Sequence, residues 1–424
     1  MKSPLPKPLH IVCGIPILAH ILKAAQDLGP AAIGIVVGHE ADTVVNTVQA
    51  GLHDWGITAP VVFVRQTDLS GSASAVKAAL PLLQKFETVL VLNGDTPLLK
   101  PQTLAEMTKV FEGNEAGALV LGVTVPDPAG YGRIIRAADG AFENIVEDAD
   151  ADEDTKKIAE INSGMYVFNS KSLQMALTQL VPQGPKHEFY LTDTLALIKQ
   201  MNQPVLVFAS RDYEQALGIN SKAQLAEAEQ IMRDRVANAL MDEGVTLVRP
   251  KEVFIDPGVK IGTDTVICPG CYISGKTVIG KNCYIEGNCY IKDSVIGDHV
   301  SLKMGTYIEE SEVADECQLG PYAHLRPKSV LKKGAKVGNF SEIKKSVIGE
   351  GSKVNHLSYI GDTQMGAGVN VGAGTITCNY DGKNKHQTVI EDHVFVGSNV
   401  NFVAPVTVHE YAKIGAGSTL SLIH

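Results

Sequence analysis

Residues 255–291 read IDPGVKIGTDTVICPGCYISGKTVIGKNCYIEGNCYI, and every sixth position is isoleucine: Ile255, Ile261, Ile267, Ile273, Ile279, Ile285 and Ile291. The register then slips by one and resumes at Ile296, Leu302 and Ile308. A second slip leads to Val313, Leu319, Leu325, Leu331, Val337 and Ile343, followed by Ile348, Val354 and Ile360, then Met365 and Val371. A last series runs Ile390, Val396, Phe402, Val408, Ile414 and Leu420. Four residues after an aliphatic position sits a small or β-branched one, as at Thr265, Cys271, Thr277, Cys283, Cys289, Thr306, Cys317, Ala323, Ser341, Thr375 and Ser418. One large and one small inward residue per six describes a parallel β-helix of hexapeptide repeats. No coil buries its apolar face alone, so the stack is stabilised by contacts between neighbours.

The repeat also accounts for the cysteines. Cys271, Cys283, Cys289 and Cys317 fill the small inward slot, and a buried free cysteine behaves as a small hydrophobe. Seven cysteines, an odd number, are taken to indicate neither a disulfide framework nor a zinc ribbon. One long interruption falls between Val371 and Ile390, where residues 377–385 (TCNYDGKNK) are too polar for a core. They are expected to leave the helix as a loop, the kind of segment in which function concentrates.

Working towards the N-terminus, residues 221–240 are rich in Ala, Glu, Gln and Arg without Gly or Pro, and read as one long helix closed by Gly244. Before it, β-rich apolar runs at 32–37, 61–64, 89–92 and 119–125 alternate with helical patterns at 15–28, 72–83 and 104–111. Alternation of this kind predicts a parallel sheet covered by helices, with ligands beyond the strand ends. The expected organisation is an α/β domain over 1–220, a linker helix over 221–247 and a β-helix over 248–424.

Composition narrows the class. The 424 residues carry 37 basic and 47 acidic side chains, a net charge of −10 with no basic run, which argues against nucleic acid as a partner. No apolar stretch reaches the roughly 18 residues of a membrane span, and Met1–Pro8 is not followed by the apolar core of a signal peptide. A cytoplasmic protein is expected.

Several motifs follow one another in order: Arg326-Pro327, Val337-Gly338-Asn339-Phe340, Glu342-Ile343-Lys344-Lys345, His356-Leu357-Ser358-Tyr359, Asn370-Val371-Gly372-Ala373-Gly374-Thr375 and Asn379-Tyr380-Asp381-Gly382. Together they resemble the bacterial bifunctional N-acetylglucosamine-1-phosphate uridylyltransferase / glucosamine-1-phosphate N-acetyltransferase family, over nearly the whole chain. The resemblance implies a Rossmann-like α/β nucleotidyltransferase domain followed by a left-handed β-helix. It also implies a homotrimer, with acetyl-CoA as co-substrate bound between neighbouring subunits.

For acetyl transfer a base of near-neutral pKa must free the sugar amine, a task suited to histidine. The resemblance places His356 in that role, with Glu342 near it to orient the ring. Arg326 and Lys344 supply cations for the phosphate of glucosamine 1-phosphate. The resemblance adds Tyr359, Asn370 and Lys385 as substrate contacts, and Asn379, Tyr380, Ser398 and Ala416 as coenzyme contacts.

For uridylyl transfer from UTP to N-acetylglucosamine 1-phosphate, the apolar run ending in Asp95 is a fitting place for a Mg²⁺ ligand, since Mg²⁺ takes few protein carboxylates and keeps water and phosphate oxygens. The same Asp before Thr96-Pro97 is equally a turn residue. The resemblance assigns Asp95 and Asn220 to Mg²⁺, Lys7 to phosphate, and Gly71, Ser72, Gly132, Glu147 and Asn162 to the nucleotide and sugar. The family's Gly-rich opening loop begins here at Met1-Lys2-Ser3, and Leu69 stands where the family has a uracil-reading glutamine. The chain is thus expected to be incomplete at both ends relative to the family. Alternatives left open are an acetyltransferase with a structural N-terminal domain, a non-catalytic trimeric scaffold or sugar-nucleotide sensor, and a nucleotidyltransferase for another base.

Overall fold

The computed structural model describes residues 1–182 and 188–421. The chain divides into two compact units, Met1–Ile231 and Met232–His424, and the division falls inside one long helix, Lys222–Asp242.

In the first unit a small hairpin, β1 (Ile11–Val12) and β2 (Ile15–Pro16), leads into helix α1 (Ile17–Gln26). The parallel pair β3 (Ile33–Val37) and β4 (Val61–Arg65) follows, with helix α2 (Ala41–Gly51) between its strands. Helices α3 (Ser72–Ala78) and α4 (Leu80–Leu83) precede a six-stranded sheet. Its members are β5 (Thr88–Val91), β6 (Ala118–Thr124), β7 (Arg133–Arg136), β8 (Phe142–Val146), β9 (Glu160–Asn169) and β10 (Val205–Ser210), with helix α5 (Pro101–Glu112) between β5 and β6.

Only part of this unit is parallel. β10 runs parallel to β6, but β9 pairs antiparallel with β5 and β6, and β7–β8 is an antiparallel hairpin. The expectation of a parallel sheet fails at β9. A hairpin, not a helical crossover, separates β6 from β9, and only a parallel return needs the long crossover. The run at 72–83 also splits at Ala79, next to Pro81, whose ring cannot continue a helix interior.

The second unit is a three-sided coil of short parallel strands. Its first face runs from Thr246–Leu247 to Lys413–Ile414, its second from Phe254–Ile255 to Thr419–Ser421, and its third from Lys260–Ile261 to Val406–Val408. Register is set by the aliphatic residues. Ile255, Ile273, Ile291, Ile308, Leu325, Ile343 and Ile360 stack in one ladder. Ile267, Ile285, Leu302, Leu319, Val337, Val354, Val371 and Val396 stack in another. These side chains are buried in one continuous core, worth about 1.5–3 kcal/mol each on transfer from water. Ala237 and Leu240 of the long helix join that core at its first coil.

The register slips have a structural cause. All four five-residue steps (Ile291 to Ile296, Ile308 to Val313, Ile343 to Ile348, Ile360 to Met365) lie at the corner between the second and third faces. There Asp293, Glu310, Lys345 and Asp362 turn the chain in the left-handed region, with φ of 46°, 41°, 46° and 48°. Each is followed by a buried Ser or Thr whose hydroxyl donates to the carbonyl two residues back: Ser294, Ser311, Ser346 and Thr363, at 2.7–3.0 Å. At the six-residue corners of the same edge the hydroxyl reaches one residue further, Thr277 to Ser274 O and Ser329 to Arg326 O, both at 2.6 Å.

The polar insertion starts later than expected. Ile376–Cys378 is a strand, and Thr377 occupies the inward slot of the second face with its Oγ1 accepting from Gly361 N at 2.7 Å. Only from Asn379 does the chain leave the wall. Thr377 tolerates burial because its hydroxyl is satisfied. No described helix is long and apolar enough to cross a membrane.

Candidate functional site

His356 ends the strand Lys353–His356 at the corner between the first and second faces, exposed to solvent. Its Nδ1 lies 2.7 Å from Asn339 Oδ1 on the preceding coil. A carboxamide oxygen only accepts, so Nδ1 carries the proton and Nε2 keeps its lone pair facing outward. Glu342, on the second-face strand of the coil before His356, has a partner of its own. Its Oε1 accepts from Arg326 Nη1 at 2.9 Å, a pair on the outer side of the second face.

The corner that carries His356 continues through the stack. Backbone bonds Leu357 N to Asn339 O, Gly374 N to His356 O, Asn399 N to Ala373 O and Gly417 N to Ser398 O place Asn339, His356, Ala373, Ser398 and Ala416 in successive coils along one edge. Asn370 sits on the adjoining first face, paired in register with Lys353 and Phe395.

On the second face Tyr359 follows Glu342 in register, and Lys344 pairs with Gly361. A side chain at 361 would run into the Tyr359 ring, whose hydroxyl lies 2.5 Å from the position of its Cβ. Lys344 Nζ approaches Asp362 Oδ2 at 3.6 Å and Lys345 Nζ approaches Oδ1 at 3.7 Å. Lys385 comes down from the loop against Lys344, and that contact, first of all, pushes its ammonium below the usual lysine range.

The loop is braced by its own groups. Asp381 Oδ1 accepts from Lys383 N at 2.7 Å and Asn384 N at 2.6 Å, while Oδ2 meets His386 Nε2 at 2.7 Å. These contacts, the Asn384 amide foremost, hold the Asp381 carboxyl at about 2. Tyr380 pairs with Lys385 across the loop and stays 60% exposed, whereas Asn379 is buried.

In the first unit Lys7 Nζ lies 2.5 Å from both Asp95 Oδ2 and Asn220 Oδ1. Ile219 N donates to Asp95 O at 3.0 Å, tying the two segments. Two oxygens thus converge on one cation, here an ammonium. That donor set suits Mg²⁺, for which two protein oxygens suffice when water and phosphate complete the shell. Among the described residues no cluster of three His, Cys, Asp or Glu occurs, so Asp95 and Asn220 are the oxygens that would hold the metal.

A second grouping surrounds Glu147. Asn162 N donates to Gly132 O at 2.8 Å, and a Cβ at Gly132 would stand 3.3 Å from Glu147 Oε2. Burial pushes the Glu147 carboxyl up, against the hydrogen bond from Thr192 Oγ1 at 3.2 Å. Ser72 Oγ accepts from Leu191 N at 3.0 Å, and Gly71 (φ 113°) abuts Phe189, whose carbonyl a side chain there would strike. The segment 189–192 therefore joins Gly71 and Ser72 to Glu147.

A family model described as nucleotidyl transferase matches residues 3–220, one described as GMPPB C-terminal domain matches 249–339, and bacterial transferase hexapeptide (six repeats) matches 387–421. The bifunctional protein GlmU of Syntrophomonas wolfei subsp. wolfei is 45% identical over 421 residues, covering 99% of this chain and 92% of that protein. The chain belongs to the bifunctional GlmU family. The GlmU proteins of Heliobacterium modesticaldum and Clostridioides difficile are 46% and 42% identical, each across 99% of this chain and 90% of theirs. The two domains are accordingly those of GlmU: a nucleotidyltransferase domain and a left-handed parallel β-helix of hexapeptide repeats.

The sequence passed over Asn339 as a partner of His356, Asp362 beneath the lysines, and the segment 189–192. The coil length could have found Asn339, because it lies 17 residues before His356, the length of a coil with one shortened corner. Nothing local marks 189–192.

Proposed function

We propose that the β-helix unit transfers an acetyl group from acetyl-CoA to the amine of glucosamine 1-phosphate. The first unit then joins N-acetylglucosamine 1-phosphate to the uridylyl group of UTP. The observation that carries this reading is the 2.7 Å contact of His356 Nδ1 with Asn339, which leaves Nε2 as an acceptor, on a coiled wall whose second face carries the cations Arg326 and Lys344.

Arg326 and Lys344 would hold the sugar phosphate, with Tyr359, Asn370 and Lys385 around the sugar. His356 Nε2 takes a proton from the ammonium, and the free amine attacks the thioester carbonyl. The N–C bond forms, the C–S bond breaks, and the proton on His356 passes to the departing thiolate. Ser398 and Ala416 lie on the same edge as His356, at rungs about 4.8 Å apart, a suitable line for an extended coenzyme arm with Asn379 and Tyr380 beside it. A homotrimer with the coenzyme between subunits fits this open edge.

In the first unit Asp95 and Asn220 would hold Mg²⁺, which when bound neutralises charge on the triphosphate. Lys7 then turns to a phosphate oxygen, while Gly132, Glu147 and Asn162 hold the sugar and Gly71 and Ser72 the nucleotide. The phosphate oxygen of the sugar attacks the α-phosphorus of UTP, and pyrophosphate leaves.

Two assays on the purified chain test the reading: thiol release with acetyl-CoA and glucosamine 1-phosphate, and pyrophosphate release with UTP, Mg²⁺ and N-acetylglucosamine 1-phosphate. Both products are expected. His356→Ala lowers acetyl transfer by about 10²–10⁴-fold and leaves pyrophosphate release unchanged. Acetyl transfer undiminished in that variant overturns the reading.

A further inference from the structure

At the corner between the second and third faces, Asp293 and Asp362 take the same backbone conformation but use their carboxylates differently. Asp293 Oδ1 accepts from Lys276 N at 2.9 Å and caps the coil below. The Asp362 side chain, 10% exposed, turns to the second face. There it meets Lys344 Nζ at 3.6 Å, Lys345 Nζ at 3.7 Å and Asn379 Nδ2 at 2.5 Å. Its backbone adds a further link: Thr388 N, where the loop returns to the wall, donates to Asp362 O at 3.1 Å. One residue thus grips the loop where it leaves and where it re-enters, and holds a lysine of the coil between.

Three ammonium groups, of Lys344, Lys345 and Lys385, crowd around this point. In water they would splay apart. A largely buried carboxylate offsets their repulsion through ion pairs with Lys344 and Lys345, and accepts one directional charge-assisted hydrogen bond, from Asn379. With Asn379 donating through Nδ2 to Asp362, the orientation of its carboxamide is fixed.

We propose that Asp362 is a positioning residue for acetyl transfer. It sets Lys344 at the acceptor phosphate and fixes Asn379 and the loop 379–386 against the coil, so that acceptor and coenzyme contacts form together. This rests on the acetyl-transfer reading of the site. Asp362 touches neither reacting group and acts through Lys344 and Asn379.

Charge and position predict opposite signs. Were Asp362 only a negative charge, Asp362→Asn would tighten binding of an anionic acceptor. As a positioning residue, its loss weakens it. Calorimetric titration of the intact chain with glucosamine 1-phosphate is expected to show about tenfold weaker binding in Asp362→Asn, the size of one lost charge-assisted bond. The acceptor KM rises in step, with kcat within about threefold, since no group at the reacting atoms has changed.

Asp362→Glu keeps the charge and displaces it by one methylene. It is expected to bind the acceptor more weakly than the native chain and to serve if Asp362→Asn lowers the melting temperature. In a Lys344→Met background, Asp362→Asn adds no further loss in acceptor KM. Pyrophosphate release by the first unit serves as the internal control. Unchanged or tighter acceptor binding in Asp362→Asn, with native acetyl transfer present, overturns the proposal and leaves the function standing. If the native chain does not acetylate glucosamine 1-phosphate, the function falls. Hydrogen exchange over residues 379–388 then decides the inference: faster exchange in Asp362→Asn supports it, and unchanged exchange ends it.

Discussion

Asn339 and His356 meet through one hydrogen bond, and the tautomer it selects decides which ring nitrogen is free to act. Asn339→Leu removes the acceptor and lets the proton sit on either nitrogen. Acetyl-transfer kcat is expected to fall about tenfold while the acceptor KM stays put. Asn339→Asp places a carboxylate on the Nδ1 proton and stabilises the imidazolium. The acid limb of the kcat/KM profile then moves to higher pH by about one unit. Asp381 offers a separate test. Its native carboxyl titrates at about 2, below the roughly 3.9 of an unfolded aspartate, so its contribution to loop order is complete above about pH 4 and is lost as pH falls through about 2. Hydrogen exchange over 379–386 across that window checks the sign, and in Asp381→Asn the exchange is fast at every pH. At this scale the sequence singles out a residue where a motif names it, as for His356, whose role is the proposal made above. It was silent where a partner is fixed by the coil's length, as for Asn339, or by a corner's turn, as for Asp362.

Coils behave as units because each buries its aliphatic residue against two neighbours. Ile308 is fully buried between Ile291 and Leu325 in the middle of a ladder. Ile308→Ala is expected to lose about 2–5 kcal/mol in denaturant unfolding, since a cavity there has rigid walls on both sides. Ser311→Ala, at a shortened corner, removes the hydroxyl that lies within donating distance of Glu309 O at 2.7 Å and Arg326 O at 3.0 Å. Leaving a buried carbonyl short of a partner costs about 1–3 kcal/mol in the same measurement. The period of six was plain in the sequence because inward residues are chosen by burial alone. The loop boundary was not: Thr377 is polar, yet it stays in the wall through its bond with Gly361 N. The parallel α/β reading missed β9 for a related reason. Alternating apolar runs report which segments are buried strands, not the direction in which each runs.

The described residues form four apolar clusters, one shared by the coils and the end of the long helix, the other three confined to the first unit. Calorimetry is expected to show two transitions, with Ile308→Ala lowering one and leaving the other in place. Chelation separates the activities in the same way. EDTA is expected to abolish pyrophosphate release and to leave thiol release at its native rate, because in the proposed reading Mg²⁺ would be held by Asp95 and Asn220 for uridylyl transfer and has no part in acetyl transfer. The coiled unit also imposes a ruler on its ligands. Side chains on successive rungs are separated by about 4.8 Å, and that interval is fixed by backbone hydrogen bonding, beyond the reach of any side-chain exchange. A cation can be moved along the axis only in whole rungs. Selectivity between a short and a longer acceptor would therefore change in discrete jumps, by transplanting an Arg326-type residue one coil along, and intermediate lengths would find no matching position.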